Sequence, residues 1–385
     1  MNNSGTLYRF EVRKILCRRI TVIALLLLSL LMLAVNVGEY VAGSRLVNRE
    51  EWVLSGRAVD DEMLNEMRAA TEPNTVTEED GTQRIVGVAV TDPAYQPLMD
   101  YLYRIGGNFD KAYGMTEAGL AKRFNGVMDV MLEEQCLTEA ETEYWQARRA
   151  DSPMPLTYGK LQNGWGDAVC ILYVVTLFSM IAIAATLSGI FSDERQLHTD
   201  ALLFSSRNGK HRLAGIKLLA GVTVGVLETL LIFLICVITE FALSGFGGGE
   251  TSVQFFMGPT AMDMSIRRAF WVCTGILLLI AVLMSVFAML LSQLLRNSVA
   301  VIAVMMGFWL VSSLNPPYSL RVLSQILSYM PVTFLGSWTF ADYRTVAVGG
   351  HLFTVLQMAP IVYALLSLLF AAATKHSYDR YEVSK

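Results

Sequence analysis

Six apolar stretches punctuate the chain, at 20–37, 168–191, 218–243, 269–291, 299–314 and 352–374. A bilayer core of about 30 Å takes roughly 20 residues of helix, and the six runs meet or approach that length. The fifth is short. Pro360 interrupts the sixth and predicts a kink rather than an end, because neighbouring helices can satisfy the freed backbone groups. The pattern predicts an all-α integral membrane protein with six transmembrane helices. The first run is longer than the apolar region of a usual signal peptide and follows a long segment of mixed charge, so it reads as a retained span. The chain divides into an amphipathic entry helix (1–19), a first span (20–42), a large polar segment (43–166), a five-helix membrane region (167–374) and a tail (375–385).

Basic residues set the orientation, since cytoplasmic loops carry an excess of Lys and Arg. Arg9, Arg13, Lys14, Arg18 and Arg19 precede the first run. Arg195, Arg207, Lys210, Arg212 and Lys217 follow the second, and Lys375, Arg380 and Lys385 follow the sixth. The short loops on the other side hold only Arg267 with Arg268, and Arg321 with Arg344. Both termini are therefore expected in the cytoplasm and the 43–166 segment outside. In the entry helix, Leu7, Phe10 and Ile15 are the apolar positions among the basic ones.

The outer segment is too long for a plain loop and is expected to fold. Its signals are mainly helical. Asp92-Pro93 is an N-cap followed by Pro at the first helical position. Thr138 and Glu141 form a capping box that opens a helix through Arg149. Residues 59–70 and 116–134 have helix-forming composition. Residues 71–83 are polar with an acidic run and read as a loop, and 84–90 as one short strand. Between 43 and 160 there are 21 acidic against 12 basic residues, a balance of −9, which leaves +5 for the rest of a chain with net charge −4. This balance fits either a solvated surface or an attraction for a cationic substrate.

Composition agrees with the span pattern: 54% of residues are apolar and 17% charged, against about 25% charged in soluble domains. The five Cys (17, 136, 170, 236, 273) and four His (198, 211, 351, 376) are scattered and show no metal-ligand spacing. No cofactor or metal site is expected in this chain, and no nucleic-acid partner. There is no phosphate-binding loop: Gly209-Lys210 lacks the earlier Gly and the following Ser or Thr. Membrane enzymes need clustered His, Asp, Ser or metal ligands within spans, and only Glu228 stands there.

The loop at 192–217 has its own pattern. Asp193 and Glu194 follow an apolar helix end directly. Leu197, Ala201 and Phe204 then fall at i, i+4 and i+7, beside Leu202 and Leu203, and Asn208-Gly209 is a helix stop. The pattern fits a lever presented to a cytoplasmic partner, and equally a connector lying on the lipid surface. Residues 318–330 form a second amphipathic element. Leu320, Leu323, Leu327 and Met330 lie on one side and Arg321, Gln325 and Ser328 on the other, between Pro316-Pro317 and Pro331.

These stretches carry a resemblance. Ser192-Asp-Glu-Arg195, then Thr199 to Gly209, then 213–217 look like the first cytoplasmic loop of ABC-2 type transporter permeases. Pro155-Leu-Thr-Tyr158 followed by Gly164-Trp165 resembles the large-ectodomain members from Gram-positive bacteria. The resemblance implies a multi-pass protein of the bacterial plasma membrane, with an ABC-2 permease-like fold and an extracytoplasmic domain between the first two spans. It implies short outer-leaflet helices within 316–350. It further implies two partners besides the lipid bilayer: a separate ABC ATPase subunit that binds ATP and Mg, and a second permease copy or paralogue. The ATPase would dock on 193–209, with Leu197, Leu203 and Phe204 as apolar anchors, Asp193, Glu194 and Arg207 as charged residues, and Gly209 closing the segment.

Two polar residues within the spans remain. Glu228, near the middle of the third run, costs about 2.5–3.5 kcal/mol if charged and tends to face protein or water. It fits either a substrate- or proton-sensing carboxyl on the translocation path or a structural contact. Gln357, in the sixth run, is expected to hydrogen-bond between helices. The function expected from all this is outward movement of a peptide, lipid or amphiphilic drug-like substrate. The alternative is a non-transporting, ATPase-coupled complex for envelope signalling or remodelling.

Overall fold

The computed structural model describes residues 4–42, 54–78, 81–150, 156–159, 163–196, 209–258, 260 and 262–380. Five helices are long and apolar enough to cross a membrane: α2 (Arg19–Ala42), α8 (Gly164–Leu187), α10 (Gly209–Ser244), α12 (Ile266–Leu295) and α15 (Val355–Arg380). Helix α1 (Ser4–Leu16) precedes them. The helices α3 (Asp61–Ala69), α4 (Gln96–Gly106), α5 (Phe109–Tyr113), α6 (Glu117–Glu134) and α7 (Glu139–Ala150) lie between α2 and α8. The short α9 (Ser192–Gln196) and α11 (Val253–Met257) link spans, and α13 (Ser298–Ser312) and α14 (Arg321–Ser328) lie between α12 and α15.

The expected fifth span is α13, only 15 residues long, or about 22 Å. Among the described residues, five helices rather than six reach spanning length. The structure gives the reason. After α13 the chain folds back against the end of α13 and the first turns of α15. Thr333 Oγ1 donates to the Ser312 carbonyl at 3.1 Å. The Tyr363 hydroxyl, eight residues and about 12 Å of helix rise into α15, donates to the Tyr329 carbonyl at 3.0 Å. A short helix suffices because the segment after it folds back to meet it. Within 316–350 only α14 and a 3-10 turn (Ser337–Ala341) are helical. Strand β3 (Thr345–Val348) then pairs with β4 (His351–Thr354), which corrects the expectation of helices alone.

Span packing centres on α10, which contacts α8, α12, α1 and α2. Hydroxyls in the spans donate to the carbonyl four residues back, as Thr176 does to Leu172, Thr229 to Gly225, and Ser285 to Ala281. This satisfies them inside a low-dielectric bundle. Gly221 and Gly225 lie one turn apart on α10. A Cβ there would meet Met289 Sδ and Ser285 Oγ respectively, so the pair lets α10 and α12 approach closely. The face of α1 that packs inward is Tyr8, Glu11 and Ile15, whereas Phe10 is 61% exposed. Phe10 turns away from the protein, in contrast to Ile15.

The domain between α2 and α8 has a helical core. Leu120, Phe124, Met128 and Leu132 form a buried i, i+4 stripe on α6 beside Met63, Leu64 and Met67 of α3. Its neck is closed where Val59 N–H donates to the Leu156 carbonyl and Tyr158 N–H to the Arg57 carbonyl. Strand β1 (Thr71–Thr77) pairs antiparallel with β2 (Gln83–Val90), with a bulge between Asn74 and Thr75. Strand β2 accords with the strand expected at 84–90. Strand β1 corrects the loop expected at 71–83. It is solvent-exposed on both faces except at Thr71, so no apolar alternation betrays it.

The Gly164-Trp165 pair gains a physical reason. A Cβ on Gly164 would meet the Gly245 carbonyl oxygen at 2.8 Å and Phe241 Cα at 3.0 Å, both backbone. The Trp165 indole N–H donates to the Phe246 carbonyl at 2.9 Å. Gly164→Ala is expected to destabilise the purified protein by about 1–3 kcal/mol, the usual cost of overpacking. Thermal unfolding in detergent checks this. An unchanged midpoint would mean that the start of α8 does not abut the end of α10.

Candidate coupling site

At the end of α8 the chain turns through 188–191 and enters α9. The Asp193 carboxylate lies over Gly189, in the space that a Cβ there would occupy. The turn is stitched to α12 by one hydroxyl. Ser292 Oγ donates to the Ser188 carbonyl at 2.6 Å and accepts from the Phe191 and Ser192 N–H groups at 3.2 Å. Arg195 donates to the Gln293 carbonyl at 2.6 Å, and the Gln196 amide to the Arg296 carbonyl at 3.2 Å. Helix α9 is thereby fastened to the end of α12.

Charge then fastens α9 to the other two neighbours. Lys14 of α1 donates to Glu194 at 2.8 Å. Lys217 of α10, fully buried, pairs with the same carboxylate and also donates to the Ile190 carbonyl at 3.3 Å. Its ammonium lies 5.3 Å from the centre of the Phe191 ring. Arg18 pairs with Asp193 at 3.1 Å. Glu11, buried on α1, lies 4.0 Å from Lys14. One carboxylate thus takes two ammonium groups from two different helices.

This placement corrects the expectation that Glu194 is a rim charge. It is buried and faces inward, because Lys217 would otherwise be an uncompensated charge in the protein interior. Asp193 is occupied by Arg18. Leu197, Leu203, Phe204 and Arg207 lie outside the described residues. Gly209 begins α10, and residues 197–208, outside the described residues, connect α9 to α10 in the chain. Lys14 and Lys217 had been counted only as orienting charges. Their offset is the signal that was available: Lys217 sits eight residues into α10, deep enough to need a partner.

A family model for ABC-2 family transporter proteins matches residues 6–335. The chain belongs to that family. No curated protein matches the chain, and no solved structure does. It is a multi-pass membrane protein with a permease role in ABC transport, in a family whose members normally work with an ABC ATPase.

Two intramembrane residues of the permease were expected to matter. Glu228 is buried, with the Thr186 hydroxyl as the polar group against its carboxyl. Gln357 behaves differently from expectation. It is exposed, and its side-chain oxygen accepts from the Thr354 N–H at 3.0 Å. As the third residue of α15 it caps its own helix rather than bonding to another, since the first-turn N–H groups have no intrahelical acceptor.

A further buried carboxylate joins the domain between α2 and α8 to the segment before α15. Glu141 closes the capping box on Thr138, accepting from its N–H at 2.9 Å and its hydroxyl at 2.8 Å. The same side chain accepts from Arg321 of α14 at 2.6 Å and from the Thr345 N–H at 2.7 Å. Gln135 joins it, donating to the Ala341 carbonyl and accepting from the Tyr343 N–H. The buried Trp145 indole donates to the Tyr343 carbonyl at 2.5 Å. The domain is thus bound to the segment between α13 and α15.

Burial alone would raise the Glu141 carboxyl, but the Arg321 guanidinium and the Thr138 and Thr345 donors outweigh it and hold the group down to about 2. A lowered folded value adds stability above the ordinary carboxyl range, lost as pH falls from about 4.5 through about 2. The gain is on the order of 3 kcal/mol. Glu141→Gln is expected to reduce stability at pH 7 by that order and to flatten its decline across this window. Unfolding of the full-length protein against pH, followed by tryptophan fluorescence, measures both. Parallel pH profiles for the two proteins would contradict the latch.

Proposed function

We propose that this chain is the membrane subunit of an ATP-driven exporter, and that a separate ATPase subunit drives it through the 193–209 segment. The observation that carries the reading is the shared Glu194 carboxylate. It clamps the entry helix (Lys14) and the third long helix of the bundle (Lys217) at the base of that segment. A push on 197–208 is delivered through α9 to α1, α10 and α12 together, instead of being lost in a flexible loop. Leu197, Leu203 and Phe204 act as the docking anchors, with Arg207 at the rim. Both termini and this segment face the cytoplasm of a bacterial plasma membrane, and the domain at 43–166 faces outward. Two copies, or this chain and a paralogue, enclose the path.

The substrate class follows from the bundle's chemistry. Hydroxyls such as those of Thr176, Thr229 and Ser285 are turned back onto their own helices, and Glu228 is buried against the Thr186 hydroxyl. Such an interior suits a peptide, lipid or amphiphilic drug-like substrate better than a small ion. ATP and Mg belong to the partner subunit.

Changing Leu203 and Phe204 together to Ser tests the docking. Membrane insertion should persist, because the spans are untouched. Co-purification of the ATPase subunit should fall severalfold or more, since buried apolar anchors dominate such interfaces. Efflux from vesicles should stop. Wild-type recovery of the ATPase with normal substrate-stimulated hydrolysis would reject the docking surface. Intact docking with no efflux of any substrate class would favour an envelope-remodelling role.

A further inference from the structure

The basic residues around α1 divide into two sets. Lys14 reaches Glu194, and Arg18, just past the helix, reaches Asp193. Arg9 and Arg13 lie on the face opposite the buried Glu11, are exposed, and form no ion pair or side-chain hydrogen bond among the described residues. They stand four residues apart, so they share one side of the helix. Phe10 stands beside Arg9 and is exposed as well. Two unpaired guanidinium groups thus flank an aromatic ring turned away from the bundle.

The position of α1 decides what that face meets. The Tyr8 hydroxyl donates to Thr223 Oγ1 at 2.9 Å. Thr223 lies on α10 five residues past Leu218, where the apolar run starts, or about 8 Å of helix rise. Leu219 and Leu227, one turn to either side of Thr223, are exposed, and an apolar stripe on a span needs lipid around it. At its other end α1 is tied to α2, where the Thr21 hydroxyl donates to the Ile15 carbonyl at 3.0 Å. Ile20 and Ile23 of α2 are exposed too. Helix α1 therefore lies along the boundary of the bilayer, with lipid-facing residues of α10 and α2 at its two ends.

A guanidinium beside hydrocarbon is costly without an anion, and the long arginine stem lets its charged head reach the headgroup layer. The anion found there is phosphate, whose oxygens a guanidinium matches in pairs. An aromatic ring between two basic residues suits the boundary between headgroups and acyl chains. A zwitterionic headgroup sets its own cation beside the phosphate, so a lipid of net negative charge is the better match to two arginines. We propose that Arg9, Phe10 and Arg13 form a binding site for an anionic phospholipid, in the leaflet at the α9 end of the bundle, with its phosphate held between the two guanidinium groups. The site requires only membrane insertion and does not depend on ATP-driven transport. It adjoins the Glu194 joint: Lys14 follows Arg13 directly, so a lipid bound there holds the entry helix in the place from which Lys14 reaches Glu194.

Lipid titration of the purified full-length protein in a neutral detergent tests it, read by native mass spectrometry with phosphatidylglycerol and phosphatidylcholine of identical chains. The tightest site of the wild-type protein is expected to favour phosphatidylglycerol at least tenfold. Arg9→Gln together with Arg13→Gln should remove most of that preference, at about fivefold per charge. Arg9→Lys with Arg13→Lys keeps the charge and should retain part of it. Arg104→Gln with Arg148→Gln, on the domain between α2 and α8, should leave it intact, and an excess of inorganic phosphate should not displace the lipid. Equal affinity for the two lipids in the wild-type protein would overturn the proposal, whether or not the variants fold. So would a preference that the Arg9 and Arg13 Gln variant keeps, or one that the Arg104 and Arg148 changes lower as much. Displacement by inorganic phosphate would overturn the assignment to a lipid. Loss of the ATPase subunit from the Arg9 and Arg13 Gln variant, with the lipid preference intact, would assign the face to protein instead.

Discussion

The base of this bundle depends on a single carboxylate. Glu194 sits where α1, α9 and α10 meet and holds Lys14 and Lys217 at once. A fully buried ammonium such as that of Lys217 is tolerated only with a partner and further hydrogen bonds, because desolvation of an unpaired charge costs several kcal/mol. The Ile190 carbonyl and the Phe191 ring supply the remainder. The requirement runs both ways. Lys217 needs α9 in place, and α9 needs the Ser292 and Gln293 contacts that hold it on α12. The turn after α8, the entry helix and the base of α10 are therefore conditions of one another, which is the property a mechanical joint needs.

The other end of the bundle repeats the arrangement with another buried carboxylate. Glu141 collects donors from its own helix start, from Arg321 and from Thr345. Arg344 is held in turn by Asp342 and by Ser324 of α14. The folded domain is attached to the segment that folds back toward Tyr363, not merely tethered by its two chain ends. Helices α10, α12 and α15 run between the two joints. A displacement at the Glu194 end thus has rigid elements along which to travel, and a stitched surface at which to arrive.

Much of this was legible in the residues. Apolar run length placed the long helices, and the Thr138–Glu141 capping box marked the start of α7. Local signals could not report the second use of the same atoms. Glu141 reads as a cap because its neighbours three residues away are visible in sequence, whereas Arg321 is 180 residues distant. Glu194 reads as a loop charge for the same reason. Gln357 misled in the opposite direction: its place in an apolar run suggested an interhelical bond, while its position three residues after Thr354 signalled a cap. Strand β1 carried no apolar alternation to read. The short fifth run was visible as short, but the fold-back that compensates for it depends on contacts made by Thr333 and Tyr329. The glycine pair at 221 and 225 was a readable packing signal that apolar run length alone passes over.

The most direct test of the shared carboxylate is a double-mutant cycle on Glu194→Gln and Lys217→Met, read as unfolding free energy of the purified full-length protein. Glu194→Gln leaves the buried Lys217 ammonium without its carboxylate and is expected to cost about 3–5 kcal/mol, whereas Lys217→Met leaves Glu194 paired with Lys14 and is expected to cost less. The double variant removes both and should cost clearly less than the two together, with a coupling of 1 kcal/mol or more. Additive costs, within about 0.5 kcal/mol, would contradict the account and leave Glu194 as an ordinary residue of a loop.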